Sequence, residues 1–322
     1  MKILITGAAG FIGDKLAREL LRRGRLDGRN IERLLLADLR PPAADLLTDP
    51  RAAAFTGDLL QLAQLLPDHA LDGVFHLASA VSAECERDFD LGLSANLDST
   101  RALLDALRRA GTRPRLVFSS SVAVFGADPA LPLPAVIDDR TLPAPQTSYG
   151  VQKFICEQLV ADYSRKAYID GRSVRLMTVA VRPGRPNGAA SGFLSAIIRE
   201  PLAGQPAICP VPPETRVALA SPANTVAGLI AAFEASHADF GGRTALNLPA
   251  LSLRVGELLD ALEQEAGATA RRLVRFEPDA AIQAIVAGWP ADVDGARAAR
   301  LGLRPDPDAQ ALIRQYRQHT SR

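Results

Sequence analysis

The chain has 322 residues, with 37 Lys+Arg against 36 Asp+Glu and a net charge of +1. That length can bury a sizeable core and suits a larger domain with a smaller lobe. The charge balance leaves no electrostatic footprint for nucleic acid or an anionic membrane surface, so neither is expected as a partner. Composition is that of an ordinary globular protein, 48% hydrophobic and 23% charged. No stretch reaches the ~18 uninterrupted apolar residues of a membrane span. The run Ile3-Leu4-Ile5 meets Gly7 too early to be a signal-peptide core, so a soluble, cytoplasmic protein is expected. Cys85, Cys156 and Cys209 are odd in number and lack a paired spacing, which argues against a disulfide framework or a structural zinc. His69, His76, His237 and His319 are scattered, so neither a metal centre nor a Ser-His-Asp triad is expected; His76 ends an apolar run and reads as a packed histidine.

In chain order, the first predicted strand, Lys2–Thr6, runs into Gly7-Ala8-Ala9-Gly10-Phe11-Ile12-Gly13 and then a helical run over 14–24. Gly7 permits the tight turn, Gly10 lets backbone approach a pyrophosphate, and Gly13 allows close packing of helix on strand. Phosphates would sit on the free N–H groups of the helix N-terminus. A second strand, Arg33–Asp38, ends in a carboxylate a few residues later than the usual ~20 past the last glycine; the extra turn Gly24–Asn30 accounts for the delay. Asp38 there accepts from both ribose hydroxyls and repels a 2′-phosphate, which favours NAD, although Arg40 stands close by. Asp58-Leu59 follows a third strand, where the fold borders an adenine pocket; Asp58 also suits a helix N-cap.

Strands over Gly73–Leu77, Arg115–Ser120 and Ser173–Arg182 follow, separated by helices over Asp90–Ala110 and Tyr149–Lys166. This alternation is the signature of right-handed βαβ units. The expected fold is therefore α/β: a doubly wound parallel sheet of Rossmann type over residues 1–182. A smaller mixed C-terminal lobe, mainly substrate-binding, spans 183–322 and interleaves with the last strands. Residues 184–215 are loop-rich, with a helical piece over 191–203; further helices are expected over 222–236, 254–267, 279–287 and 307–318, and a strand over Thr244–Leu248.

Tyr149 and Lys153 share a helix face at i and i+4. A lysine cation beside the Tyr149 hydroxyl would lower its pKa from about 10 and make it a usable base. The pair alone is common on solvated helices. It gains weight from Ser119-Ser120-Ser121, which closes an apolar strand at the end where open α/β sheets bind ligands.

Together the glycine turn, the serine run followed by Val122-Ala123-Val124-Phe125-Gly126, and the YxxxK helix resemble the extended branch of the short-chain dehydrogenase/reductase superfamily, over essentially the whole chain. The resemblance implies that Tyr149 is the acid/base, that Lys153 holds the nicotinamide ribose, and that Ser121 orients the substrate hydroxyl. It places Leu77-Ala78-Ser79 along the cofactor and Pro183, in Arg182-Pro183-Gly184, against the nicotinamide. It matches Asn96 to the asparagine of the long helix, where a structural hydrogen bond at a kink and a proton-relay role stand equal. It also implies a homodimer packing helices 90–110 and 149–166 into a four-helix bundle.

Dehydratases of this branch carry an acidic pair where this chain has Val122 and Ala123. Epimerases carry Tyr-Gly where it has Phe125-Gly126, and an aspartate where it has Ala223. Several stretches instead resemble the D-erythronate dehydrogenase family: Ser79–Ser82 with Asp88–Gly92, Ser119–Gly126, Pro145–Gly150, Arg182–Asn187, Ile198–Gly204, Cys209–Pro213 and Trp289-Pro290. That resemblance implies NAD-dependent oxidation of the 2-hydroxyl of a small sugar acid. Its carboxylate needs a cationic anchor, for which Arg185 and Arg216 are candidates; Ser82 and Asn187 are candidates for its hydroxyls. Trp289 reads as packing the second lobe. A nucleotide-sugar epimerase is the alternative enzyme. A non-catalytic NAD-sensing regulator comes third, because the chain retains Tyr149, Lys153 and Ser121.

Overall fold

The computed structural model describes residues 1–66, 70–184 and 190–320. Its main sheet has seven strands: β1 (Lys2–Thr6), β2 (Arg33–Asp38), β3 (Ala52–Thr56), β4 (Gly73–His76), β5 (Arg115–Ser121), β6 (Asp170–Leu176) and β7 (Leu246–Asn247). Their order is β7-β6-β5-β4-β1-β2-β3. The β3-β2-β1-β4-β5 pairings are all parallel, with Leu4 facing Leu35 on one side and Val74 on the other. Ile3, Leu4 and Ile5 are fully buried, as are the four residues of β4, which is why these strands read as continuous apolar runs rather than alternating ones. The chain winds outward from β1 to β3 and then restarts at β4. The ends of β1 and β4 therefore flank the reversal point at which this sheet type binds ligands.

Residues Met1–Val124, Thr147–Arg175 and Val226–Leu246 form one compact unit, and Phe125–Gln146, Leu176–Thr225 and Asn247–Arg322 a second. In the first, helix α1 (Phe11–Arg23) ends on Gly24 in the left-handed conformation. A core of Leu4, Val74, Leu103, Leu107, Leu116, Phe118 and Val160 packs against the sheet. The segment over 24–30, expected as a turn, is a two-stranded hairpin closed by Asp27-Gly28, both with positive φ. The helix Pro222–Glu234 is held at its C-terminal end by two arginines. Arg172 Nη1 donates to the carbonyls of Ala232 (2.5 Å) and Ala235 (2.6 Å), and Arg115 Nη1 to that of Phe233 (2.6 Å).

Two expectations need correction. The helix expected over 90–110 is not uniform: Phe89–Gly92 is α-helical, Leu93–Asp98 is a π-helical turn, and α2 (Ser99–Ala110) resumes the α-form. The carbonyls of Ala95 and Asn96 in that turn accept the hydroxyls of Ser99 (2.6 Å) and Thr100 (2.5 Å), the kind of local side-chain competition that bends helices. The run over 173–182 is also not one strand. β6 ends at Leu176, and Thr178–Val179 pairs instead with the strand Arg216–Ala220.

That three-stranded sheet, completed by Leu251–Arg254, belongs to the second unit. With it lie a parallel pair, Ala207–Cys209 and Val274–Phe276, and helices Gly192–Leu202, Val255–Arg272 and Ala309–Thr320. Leu194, Ile197, Leu219, Leu258, Leu259, Leu262, Leu312 and Ile313 make its core, and Trp289 packs against that core as expected.

Candidate active site

The glycine turn has the close approach that a phosphate cradle needs. A Cβ on Gly13 would lie 2.0 Å from the Gly7 carbonyl oxygen, and one on Gly7, where φ is +72°, would lie 2.7 Å from the Ala78 amide nitrogen. Only glycine lets α1 start this close to β1. Gly10 is the N-cap and no side chain caps α1, which leaves the first-turn amides at Phe11, Ile12 and Gly13 for an anion. Asp38 ties the turn to the end of β2: Oδ2 accepts from the Ala9 N–H (3.0 Å) and Oδ1 from that of Arg40 (3.1 Å). The cradle, the uncapped helix and the acid at the tip of β2 fit a pyrophosphate with an adjacent ribose, the recognition set of NAD. Asp58 accepts from the Leu60 N–H at 2.8 Å and so N-caps the helix Leu59–Leu65.

A buried chain of hydrogen bonds fixes the strand ends beside the cradle. His76 Nδ1 lies 2.7 Å from Thr6 Oγ1, and Nε2 lies 2.9 Å from Thr100 Oγ1. Thr100 donates to the Asn96 carbonyl and Thr6 accepts from the Ala78 N–H (3.3 Å), so the chain has one direction. Thr6 donates to Nδ1, and the imidazole proton sits on Nε2. Burial first, and the Lys153 cation second, push the His76 pKa down to about 3. It is a packed, neutral histidine, as its place in an apolar run implies. Asn96 holds the loop after β4: Oδ1 accepts from the Ala80 N–H (2.7 Å) and Ser79 Oγ (2.9 Å), while Nδ2 donates to Gln152 Oε1 (2.8 Å). Leu77, Ala78 and Ser79 are therefore anchored at both ends. Ser82 opens the helix Ser82–Arg87 beyond this loop.

The Ser–Tyr–Lys group is assembled by β5 and α3 (Ser148–Arg165), whose N-cap, Thr147, accepts from the Gly150 N–H at 3.0 Å. Lys153 is buried and donates from Nζ to the Ser119 carbonyl at 2.8 Å. Its Nζ lies 5.6 Å from the Tyr149 ring centroid and 4.9 Å from that of Phe118. The i, i+4 pair thus shares one face, which points at the end of β5. Burial pushes the Lys153 pKa down to about 8. Ser121, the last residue of β5, accepts from the Ala123 N–H at 3.1 Å. An aromatic hydroxyl, a desolvated ammonium and a serine at a strand end are groups from which a proton transfer can be built.

Other candidates fall elsewhere. Arg185 and Asn187 lie outside the described residues. Pro183 is exposed; before it, the Arg182 N–H donates to Ser195 Oγ at 3.0 Å. Arg216 is engaged by Asp292, a partner that no local pattern reveals because the two are 76 residues apart. Gln152, Glu157 and Arg175 were also missed. Gln152 lies within the YxxxK motif and Glu157 one turn beyond it, where a polar residue reads as solvated, yet both are buried, as is Arg175.

Comparison with known proteins is consistent with this geometry. A model of the NAD dependent epimerase/dehydratase family matches residues 3–217. The chain is 47% identical over 322 residues to a D-erythronate dehydrogenase of Cupriavidus necator, covering 98% of each chain. It is 40% identical to another from Haemophilus influenzae, again covering 98% of each. A crystal structure described as a nucleoside-diphosphate-sugar epimerase from Agrobacterium tumefaciens superposes with a TM-score of 0.93 at 43% identity, covering 99% of this chain and 94% of that one. The matched family model and the full-length identity place this chain in the NAD dependent epimerase/dehydratase family.

Proposed function

We propose that the chain is an NAD-dependent dehydrogenase that oxidises the 2-hydroxyl of D-erythronate to the 2-oxo acid, 2-dehydro-D-erythronate. The observation that carries this reading is the identity, over nearly the full length of both chains, with two relatives named D-erythronate dehydrogenase. The cofactor is NAD, held by Gly7, Ala9, Gly10, Phe11, Ile12 and Gly13 at the cradle and by Asp38 at the ribose. Asp58, Leu59, Leu77, Ala78, Ser79, Asn96 and Pro183 border it.

In this reading the substrate hydroxyl lies between Ser121 and Tyr149. Ser121 orients the hydroxyl and the Tyr149 phenolate takes its proton. Lys153 stabilises the phenolate and holds the nicotinamide ribose. The bound nicotinamide supplies the acceptor for the C2 hydride. The protein contributes orientation and a preorganised field. Ser82 and Asn187 bind the remaining hydroxyls, and Arg185 or Arg216 takes the carboxylate.

A homodimer is proposed through the helices of residues 89–110 and 148–165. Phe89 (60% exposed), Leu91 (45%), Val151 (42%) and Ile155 (38%) put apolar surface on these elements, which supports it. No described helix is long and apolar enough to cross a membrane. Separately, a cytoplasmic location is proposed as part of the dehydrogenase reading.

The second reading is a nucleotide-sugar epimerase, favoured by the description given to the Agrobacterium structure. The test is NADH formation, followed by the nicotinamide absorbance, with NAD and D-erythronate, L-erythronate, D-threonate, L-threonate, UDP-glucose or UDP-galactose. Turnover confined to D-erythronate is the expected result. Silence on every acid with interconversion of the UDP-sugars would transfer the chain to the epimerases.

A further inference from the structure

Beneath the Ser–Tyr–Lys group lies a buried ion pair that the reaction as described does not use. Arg175, on β6, grips Glu157, on α3, at two points: Nε to Oε1 at 2.8 Å and Nη2 to Oε2 at 2.7 Å. The side chains are 6% and 2% exposed. Glu157 Oε1 also accepts from Ser120 Oγ at 2.5 Å. One turn earlier on α3, Lys153 donates to the carbonyl of Ser119. Two successive residues of β5 are therefore stitched to two successive turns of α3, and the next residue of β5 is Ser121.

We propose that Glu157, clamped by Arg175, is a positioning residue for proton transfer: it sets the placement of Ser121 against Tyr149 and balances the charge felt by Lys153. An ion pair this deeply buried is seldom retained for stability, since desolvation offsets most of its attraction and a hydrophobic pair of similar volume serves as well. Through Ser120 this ion pair fixes a strand end, and displacement of a reacting group by about 1 Å costs up to ~10²-fold in rate. Through charge, it lies in the field of the Lys153 ammonium. The titratable and charged groups facing that ammonium are Cys156 and Glu157 on α3, Cys85 on the helix Ser82–Arg87, and His76 on β4. Behind Glu157 stands Arg175 on β6. His76 is neutral and both thiols are pushed up by burial, so near neutral pH the Glu157–Arg175 pair carries the charges that a mutation can unbalance.

The inference rests on the dehydrogenase reading of Tyr149 and Lys153, and the experiment separates the two. Glu157→Gln, Glu157→Gln/Arg175→Met and Ser120→Ala are compared with wild type in the full chain. Two measurements are made: the pH profile of kcat with NAD and D-erythronate, and the phenolate absorbance of each protein minus that of its Tyr149→Phe counterpart. Glu157→Gln keeps an acceptor for Ser120 but leaves the Arg175 cation unbalanced. The limb reporting loss of the Tyr149 proton moves to lower pH by about one unit, and removing Arg175 as well returns it towards wild type. Ser120→Ala leaves that limb in place, retains NAD affinity and lowers kcat roughly tenfold or more. If the unbalanced Glu157→Gln chain does not fold, the double variant and Ser120→Ala still carry the test, with the limb near wild type in the first and in place in the second. An unmoved limb in folded Glu157→Gln, a double variant displaced as far as the single one, or a Ser120→Ala variant with wild-type kcat overturns the proposal. If wild type does not turn over D-erythronate, the dehydrogenase reading fails on its own, and the phenolate titration still decides the charge relationship.

Discussion

The guanidinium of Arg216 grips the Asp292 carboxylate at two points, Nη2 to Oδ1 at 2.5 Å and Nε to Oδ2 at 3.1 Å. The backbone around Asp292 is pinned by the Ile137 N–H to the Asp292 carbonyl (3.0 Å) and the Asp294 N–H to the Ile137 carbonyl (2.8 Å). Arg216 is therefore pre-oriented, and hydrogen bonding to Asp292 raises its pKa further. The pair is half exposed on the arginine side, at 49%, and such pairs add ~0–1 kcal/mol. A change of function at this position is thus separable from a change of stability. If Arg216 anchors the substrate carboxylate, Arg216→Lys raises KM about tenfold or more, because a point charge replaces a planar fork. Its melting temperature stays near wild type, and Asp292→Asn lowers KM by removing the competing carboxylate. Steady-state kinetics with D-erythronate check this; an unchanged KM in Arg216→Lys passes the anchor to Arg185.

Tyr149→Phe removes one hydroxyl from a helix whose N-cap and lysine contacts stay in place. Turnover falls by ~10²–10⁴-fold, the scale of a lost general base. NAD affinity, measured by titration of the bound cofactor, changes by no more than a few-fold. Equal loss of both would mean that Tyr149 holds the cofactor rather than the proton.

Asp38 Oδ2 holds the Ala9 amide of the glycine turn and Oδ1 the Arg40 amide just past β2; in the proposed NAD reading it also meets the ribose. Asp38→Asn keeps one acceptor and removes the negative charge. NAD binding weakens, and the NADP-to-NAD ratio of kcat/KM rises about tenfold or more, one neighbouring charge near a phosphate being worth ~1–2 kcal/mol. An unchanged ratio would assign coenzyme choice to Arg40, whose Nη2 lies 3.4 Å from the Ala9 carbonyl.

The legible parts of the candidate site are those in which one short segment both forms the geometry and carries the proposed chemistry. The glycine turn, Asp38 closing β2, and Tyr149 with Lys153 on one helix face all belong to that class. β1 and β2 were legible to the residue because both faces of the sheet are covered and the apolar runs are unbroken. What was not legible depends on contacts distant in sequence. The π-helical turn at 93–98 reads as ordinary helix until Thr100 and Cys156 are seen competing for the Asn96 carbonyl. Glu157 reads as solvated until Arg175 is brought up from the neighbouring strand. The break between Leu176 and Thr178 is invisible because residues 173–182 are β-prone throughout while their pairing partners change.

His76 makes the first unit sensitive to acid. Its folded pKa of about 3 lies below the 6.5 it takes when solvated. Above 6.5 both folded and unfolded chains hold it neutral, and its contribution to stability is fully present. As pH falls from 6.5 towards 3 the unfolded chain takes up a proton that the folded chain refuses, and stability drops by ~1.4 kcal/mol per unit. Urea midpoints at several pH values between 7 and 4 should fall more steeply for wild type than for His76→Gln, which has no ring to protonate. Parallel curves would mean that carboxylates govern acid unfolding.

Lys153 carries the opposite lesson about where a functional group sits. Burial lowers its pKa from 10.5 to about 8, so below about pH 8 the fold holds an ammonium it has desolvated, with the Ser119 carbonyl as hydrogen-bond partner. Between 8 and 10.5 the folded chain has released that proton while the unfolded chain keeps it, and stability rises with pH across that window. Lys153→Met removes the charge and fills similar volume. It forfeits one hydrogen bond, ~1–3 kcal/mol, against a desolvation cost on the order of 3 kcal/mol from the shift. The variant without added cofactor is therefore as stable as wild type or more so at neutral pH, despite being inactive. Its advantage shrinks as pH climbs from 8 towards 10.5. Denaturant unfolding of both proteins across that window checks this. A variant clearly less stable than wild type at pH 7, with a difference that does not vary with pH, would mean that Lys153 is kept for packing and hydrogen bonding, and that its charge costs the fold little.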